Sequence, residues 1–178
     1  MTLAASTMNI GDRIAPSQNA GHGSVGSVSL RPVLRDFRPS DQRELRRLIL
    51  EGLRDRWGEA FDASVNPDLD DVVTNYLDRG AEVVVIESNG EIIATGTLVA
   101  EDGVTGRIVR MSVAAAHRRQ GLARRVVEEL VQRARRSSMS EVKVLTDTPW
   151  TSAVELYRAC GFTELGSDGS DTHFVMPL

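Results

Sequence analysis

Residues 107–136, RIVRMSVAAAHRRQGLARRVVEELVQRARR, run from an alternating segment through a basic turn into a long amphipathic segment. In the first part Ile108, Arg110 and Ser112 fall on one face of a strand and Val109, Met111 and Val113 on the other. In the second, Ala123, Val126, Val127, Leu130, Val131 and Ala134 recur at the 3–4 spacing of one helix face. The apolar stripe lies opposite a charged face, as on a helix packed by one side, and the order of the remaining elements decides the fold class.

The remaining segments extend that pattern. LRPVLRDF (30–37) reads as a strand, and Asp41 with Glu44 as a variant capping box for a helix bearing Leu45, Leu48, Ile49 and Leu53 and ending near Gly58. DLDDVVTNYL (68–77) carries Leu69, Val72, Val73, Tyr76 and Leu77 at helical spacing. AEVVVIES (81–88) and EIIATGTLVA (91–100) flank Asn89-Gly90, a strong hairpin signal. EVKVLT (141–146) is a further strand. Ser152 and Glu155 suggest a capping box for a short helix ending at Cys160-Gly161, and FTEL (162–165) with THFVMPL (172–178) closes the chain as a hairpin. The order is β-α-α-β-β-β-α-β-α-β-β, a mixed α/β domain over residues 30–178. Residues 1–29, rich in Gly, Ser and Ala, cannot bury enough apolar surface to offset their ordering entropy and are expected to form a flexible tail.

Composition excludes several functions. The net charge of −4 disfavours a general nucleic-acid binder, so the Arg cluster stands out locally. One cysteine excludes an internal disulfide, and three scattered histidines give no expectation of a metal. No apolar run approaches bilayer length and no signal peptide is evident, so the expected location is cytoplasmic, without membrane contact.

A helix start exposes unpaired N–H groups and the positive end of the helix dipole. Gly121 permits close approach to a ligand, Ala123 keeps the next contact position small, and Arg118, Arg119 and Arg124 add charge. The combination suits a phosphate cradle, though neither the P-loop nor the dinucleotide-binding glycine pattern is present. A merely solvated basic turn remains open on this stretch alone.

RRQGLA (Arg118–Ala123) resembles the acyl-CoA signature Q/R-x-x-G-x-G/A of the GNAT superfamily of N-acetyltransferases. The preceding RMSV looks like that family's fourth strand. AVELYRACGF (Ala153–Phe162) is similar to its second hallmark, A-x-x-x-Y-x-x-x-G-F. The resemblance spans roughly residues 30–178 and implies a mixed, mostly antiparallel sheet whose fourth and fifth strands splay apart, flanked by helices. It implies that Met111, Ser112 and Val113 line the pantetheine of acetyl-CoA, the donor substrate. It implies that Arg118, Arg119, Gln120, Gly121, Leu122, Ala123 and Arg124 surround its pyrophosphate, and that Ala153 also contacts the cofactor. Tyr157 takes the position of the acid that protonates the departing thiolate. An amine attacks the thioester directly, through a tetrahedral intermediate held by a backbone N–H from Val113.

Trp150 stands where many members have Asn, and either walls the pantetheine or fills the cleft floor. No convincing general base is found: RIVR lacks a carboxylate, and Glu101 and Asp102 belong to a turn expected to be solvated. His117 is expected at the surface. His173 is either a surface residue or near the acceptor, and Cys160 is expected to be a buried structural thiol. Trp57 either shapes the acceptor site or caps the first helix. Glu59, Asp62 and Asp68 either attract a cationic amine or, as expected first, are solvated. The function implied is an acetyl-CoA-dependent N-acetyltransferase acting on a primary amine of a small molecule, peptide or protein, without a metal, and compatible with a homodimer. The alternative is a CoA-binding sensor or interaction module that has lost turnover.

Overall fold

A computed structural model describes residues 31–178. The expected flexible tail over residues 1–29 lies outside the described residues. The element order matches the sequence reading: β1 (Val33–Asp36), α1 (Gln42–Trp57), α2 (Val72–Asn75), β2 (Glu82–Ser88), β3 (Glu91–Ala100), β4 (Thr105–Val113), α3 (Leu122–Arg136), β5 (Glu141–Asp147), α4 (Thr151–Ala159), β6 (Thr163–Ser167) and β7 (Asp171–Pro177). They form a seven-stranded sheet in the order β1-β2-β3-β4-β5-β7-β6. Every neighbouring pair is antiparallel except β4–β5.

The sheet is covered on both sides, which is why β2 and β3 are apolar almost without alternation. Val84, Ile86, Ala94, Leu98 and Ile108 pack against Val126, Val127 and Leu130 of α3. Val83 and Val85 pack with Leu45, Leu48 and Ile49 of α1 on the opposite face. Burial of this kind is worth roughly 1.5–3 kcal/mol for each large side chain before entropy is charged against it.

Four local expectations are corrected. The strict alternation of β4 fails because the strand carries an extra residue: Thr97 pairs with Val109 but Thr95 pairs with Ser112. Arg110 takes a φ of 55° at this bulge, which moves Ile108 and Met111 to the α3 face and leaves Arg110 and Ser112 on the α1 face. The single helix expected over 68–77 is broken into a 3-10 turn (Pro67–Asp70), α2 and a second turn (Leu77–Arg79). Gln42 of α1 occupies the break, donating to the Leu69 carbonyl and accepting from the Val72 N–H. Neither capping box forms. The Asp41 carboxylate accepts from the Arg35 guanidinium at 2.6 Å and the Arg38 N–H at 2.8 Å, while Glu44 accepts from the Ile92 N–H. Helix α4 starts at Thr151 after Trp150 with no side-chain cap, so Ser152 lies inside it.

Opposite the bulge, Gly96 leaves room for side chains from both β4 and α3. A Cβ there would lie 2.5 Å from Met111 Sδ and 2.6 Å from a Val126 methyl. Gly96→Ala should therefore destabilise the fold by about 1–3 kcal/mol through overpacking. Urea unfolding checks this, and an unchanged midpoint would contradict the packing described.

Candidate active site

Strands β4 and β5 pair over only their first halves. The ladder ends at Ile108↔Val144, after which β4 continues to Val113 and β5 to Asp147 without pairing to each other. The two strands splay there, as expected. The bulge at Arg110 begins two residues past the last rung, and a bulged strand bends.

Arg110 is fixed by a polar cluster from the broken α2 region. Its guanidinium donates to Asn66 Oδ1 at 2.8 Å, Asp68 Oδ1 at 2.6 Å and the Tyr76 hydroxyl at 3.1 Å. Tyr76 in turn donates to the second oxygen of Asp68. Asp68 is thus a bound partner rather than the solvated acid expected. Burial and the hydrogen bond to Asp68 push the Tyr76 phenol above its ordinary value, with Arg110 opposing. Ser112, farther along β4, donates to the Leu48 carbonyl and ties the strand to α1.

A cavity of about 1060 Å³ fills the gap between β4 and β5 and extends to the start of α3, a size suited to a drug-sized or cofactor-sized ligand. Of the residues expected to form the site, Met111, Ser112, Val113, Arg118, Arg119, Gly121, Leu122, Ala123, Arg124, Trp150, Ala153 and Tyr157 line this cavity. Gln120 does not: its side chain turns back toward the Ala116 carbonyl.

The start of α3 has the features of an anion site. No side chain caps the helix, and the N–H groups from Arg119 to Arg124 have no hydrogen-bond partner among the described residues. Gly121 has a φ of 78°, and a Cβ there would meet nothing within 4 Å. The backbone is therefore open to a ligand, and its unpaired donors fit a pyrophosphate. Arg119 and Arg124 have no ion-pair partner among the described residues. Arg118 is engaged elsewhere, donating to Asp55 at 2.7 Å and to the Val113 carbonyl at 3.2 Å.

Tyr157 enters from α4. Its ring packs edge-on to Phe162 and tilted against Phe174, with centroids 5.7 Å away in both cases. Its hydroxyl has no hydrogen-bond partner among the described residues, yet no fully buried side-chain polar atom among them is left unpaired. The hydroxyl therefore opens into the cavity that Tyr157 lines. Burial holds this phenol well above the ordinary tyrosine range, with Cys160 adding to the effect and Arg56 opposing it. It stays protonated at neutral pH.

Arg56 and Asp147 also line the cavity and were missed in the sequence. The Arg56 guanidinium lies over the Trp150 ring at 4.5 Å, and Trp57 meets Trp150 edge-on at 6.0 Å. Trp150 thus forms a rim with α1 on the far side of the gap, and Trp57 is half exposed beside it. Desolvation and then Arg118 lower the Arg56 pKa, against Tyr157, Asp147 and Asp55. The lesser expectations resolve individually. Asp102 caps its turn and Glu101 pairs with Arg107. Asp62 caps the next turn at Ser64, and Glu59 is exposed. His173 meets Asp168 at 3.0 Å, and His117 reaches the cavity wall. Cys160 is half-buried rather than fully buried, and desolvation raises its thiol pKa. No group of three or more potential metal ligands occurs among the described residues, and none of their helices is long and apolar enough to cross a membrane.

A sheet split beside an uncapped, basic helix start is the arrangement that the resemblance to the GNAT superfamily implies, and known proteins agree with it. The model of the acetyltransferase (GNAT) family matches residues 44–162, and the chain belongs to that family. It is 33% identical over 138 residues to N-acetyltransferase 8 of Rattus norvegicus, covering 68% of this chain and 62% of that protein. It is 34% identical over 116 residues to N-acetyltransferase 8 of Homo sapiens, covering 62% of this chain and 51% of that protein. The chain thus spans between about half and three fifths of these curated relatives' length. Among solved structures, a GNAT-family acetyltransferase from Staphylococcus aureus superposes with a TM-score of 0.76 at 19% identity, over 83% of this chain and 99% of that one. An N-acetyltransferase from Thermoplasma acidophilum in complex with coenzyme A gives 0.73 at 11%, over 84% and 100%. These two share the fold.

Both tyrosines of the chain have raised pKa values, which sets a prediction. The folded state holds these protons more tightly than the unfolded state, so stability should be full below about pH 10 and fall as pH rises beyond it. Phenolate absorbance should accordingly lag behind that of free tyrosine and rise with unfolding. Titration of either phenol at the free value in the folded protein would contradict the burial described.

Proposed function

We propose that the protein is an acetyl-CoA-dependent N-acetyltransferase that acts on a primary amine in a ternary complex. The observation that carries the reading is the uncapped start of α3, whose unpaired N–H groups open onto the same cavity as the Tyr157 hydroxyl. Acetyl-CoA supplies the activated thioester when bound.

The chain's own residues divide the remaining work. The N–H groups of Arg119 to Arg124, with the Arg119 and Arg124 guanidinium groups, hold the pyrophosphate. Beyond Ile108 the edge of β4 facing β5 is unpaired, so Met111 and Val113 can offer backbone groups to the pantetheine as an added strand would. Ser112, directed toward α1, contributes through the position of that strand. Tyr157 gives its proton to the departing sulfur. Trp150, Trp57 and Arg56 form the rim on the α1 side, where the acceptor enters. The acceptor is an amine on a small molecule or on a peptide or protein, and the reading places the reaction in the cytoplasm.

A panel of primary amines, assayed by release of free thiol, tests the function. Turnover of at least one amine is expected. Tight CoA binding without turnover of any amine would instead favour a CoA-binding sensor.

Two substitutions test the parts. Gly121→Glu should abolish acetyl-CoA binding by calorimetry, because it places a carboxylate against the pyrophosphate. It should leave the protein folded, at a backbone cost of about 1–2 kcal/mol for the left-handed conformation. Undiminished affinity in the folded variant would remove the cradle assignment. Tyr157→Phe keeps the ring packing and removes the donor. It should lower kcat at least about tenfold while changing the KM for acetyl-CoA little. Wild-type turnover, with chemistry rate-limiting, would make Tyr157 structural.

A further inference from the structure

The acceptor must lose a proton before it can attack, because a primary amine is mostly an ammonium ion near neutral pH. Strand β4 offers no carboxylate for this. The cavity wall holds two acidic residues among those described, Asp147 and Glu155. Glu155 lies on the exposed face of α4. Asp55 is committed to Arg118 and Asp68 to Arg110. Asp147 remains.

Its position is set by the topology. Asp147 is the last residue of β5, three positions past the final β4–β5 rung, so it stands inside the splay. Residues 142 and 144 of this strand face the α3 core, and alternation puts Asp147 on the opposite face, toward α1 and the aromatic rim. It is half-buried, and among the described residues its carboxylate has no ion-pair partner and accepts only from its own backbone N–H. Directly across the ladder lies Asp171 of β7, so two carboxylates face the same side of the sheet. His173, two residues farther along β7, is engaged by Asp168 instead. Arg56 approaches from α1 without making an ion pair, and the Tyr157 hydroxyl comes from α4.

We propose that Asp147 is the general base of the reaction, taking the first proton from the acceptor's ammonium group inside the splayed cleft. The assignment rests on the acetyltransferase reading above. The atoms balance as follows. One ammonium proton passes to the Asp147 carboxylate and then to solvent. The freed nitrogen lone pair forms the C–N bond to the acetyl carbon, and the C–S bond breaks. The sulfur receives the Tyr157 proton, and the second nitrogen proton restores that phenol. The third stays in the amide. Desolvation, and then Asp171, raise the Asp147 pKa, with its own backbone N–H and then Arg56 opposing. A carboxylate raised in this way is a better proton acceptor than an ordinary surface aspartate.

The test uses the full chain, acetyl-CoA and an amine accepted in the panel, with kcat/KM for the amine followed against pH. The wild-type profile should rise through an acid limb that lies above the ordinary aspartate range. Asp147→Asn should lower kcat/KM near neutral pH at least about tenfold and abolish that limb. The deficit should shrink at high pH, where the amine is already neutral, and acetyl-CoA affinity measured by calorimetry should be retained. Asp171→Asn removes the facing like charge, so the limb should move to lower pH while the plateau rate is kept. This second variant tests the assignment even if Asp147→Asn does not fold. Wild-type rate and profile in Asp147→Asn, or an unmoved limb in Asp171→Asn, would overturn the assignment. A wild-type protein that turns over no amine would overturn the acetyltransferase reading and the base with it.

Discussion

The separation of β4 from β5 after Ile108↔Val144 is the constraint on which the rest depends. A continuous ladder would fill the space that forms the cavity. The bulge at Arg110 redirects β4, at a backbone cost of roughly 1–2 kcal/mol for an arginine in the left-handed region. The hydrogen bonds from Arg110 to Asn66, Asp68 and Tyr76 offset this cost and over-determine the conformation. The same bonds fix the loop between α1 and α2 against the sheet. One side chain thus sets the strand path and the wall on the α1 side.

The order of elements was legible because each signal was local. Asn89-Gly90 marked the hairpin, and the spacing from Ala123 to Ala134 marked α3 as amphipathic. The bulge was not legible, since an arginine in an alternating segment gives no sign of a positive φ. Nor was the break before α2: its apolar spacing is helical, and the cause is Gln42, distant in sequence, inserting between Leu69 and Val72. The capping boxes were misread for a related reason. Asp41 and Glu44 have acceptors' geometry, but Arg35 and the N–H of Ile92 compete for them.

The site divides along the same line. The α3 cradle is contiguous in sequence, so its residues could be named together and fall together on one cavity, Gln120 excepted. Tyr157 carried a motif. Arg56 and Asp147 carried none: each is an ordinary charged residue whose meaning comes from tertiary placement. Asp147 matters because β5 diverges from β4 and because β7 returns Asp171 opposite it. Trp57 and Trp150 left two readings each, and their edge-on contact across the gap joins them into one rim.

The central claim is that the split in the sheet and the uncapped start of α3 form one acyl-CoA site. Amide hydrogen exchange with and without coenzyme A tests it most directly, because the claim names the donors. The N–H groups from Arg119 to Arg124, and those of β4 beyond Ile108 that face away from β3, should become protected on binding, while the β1–β2 edge is unchanged. Binding that protects neither segment, or protects only amides elsewhere, would contradict the account.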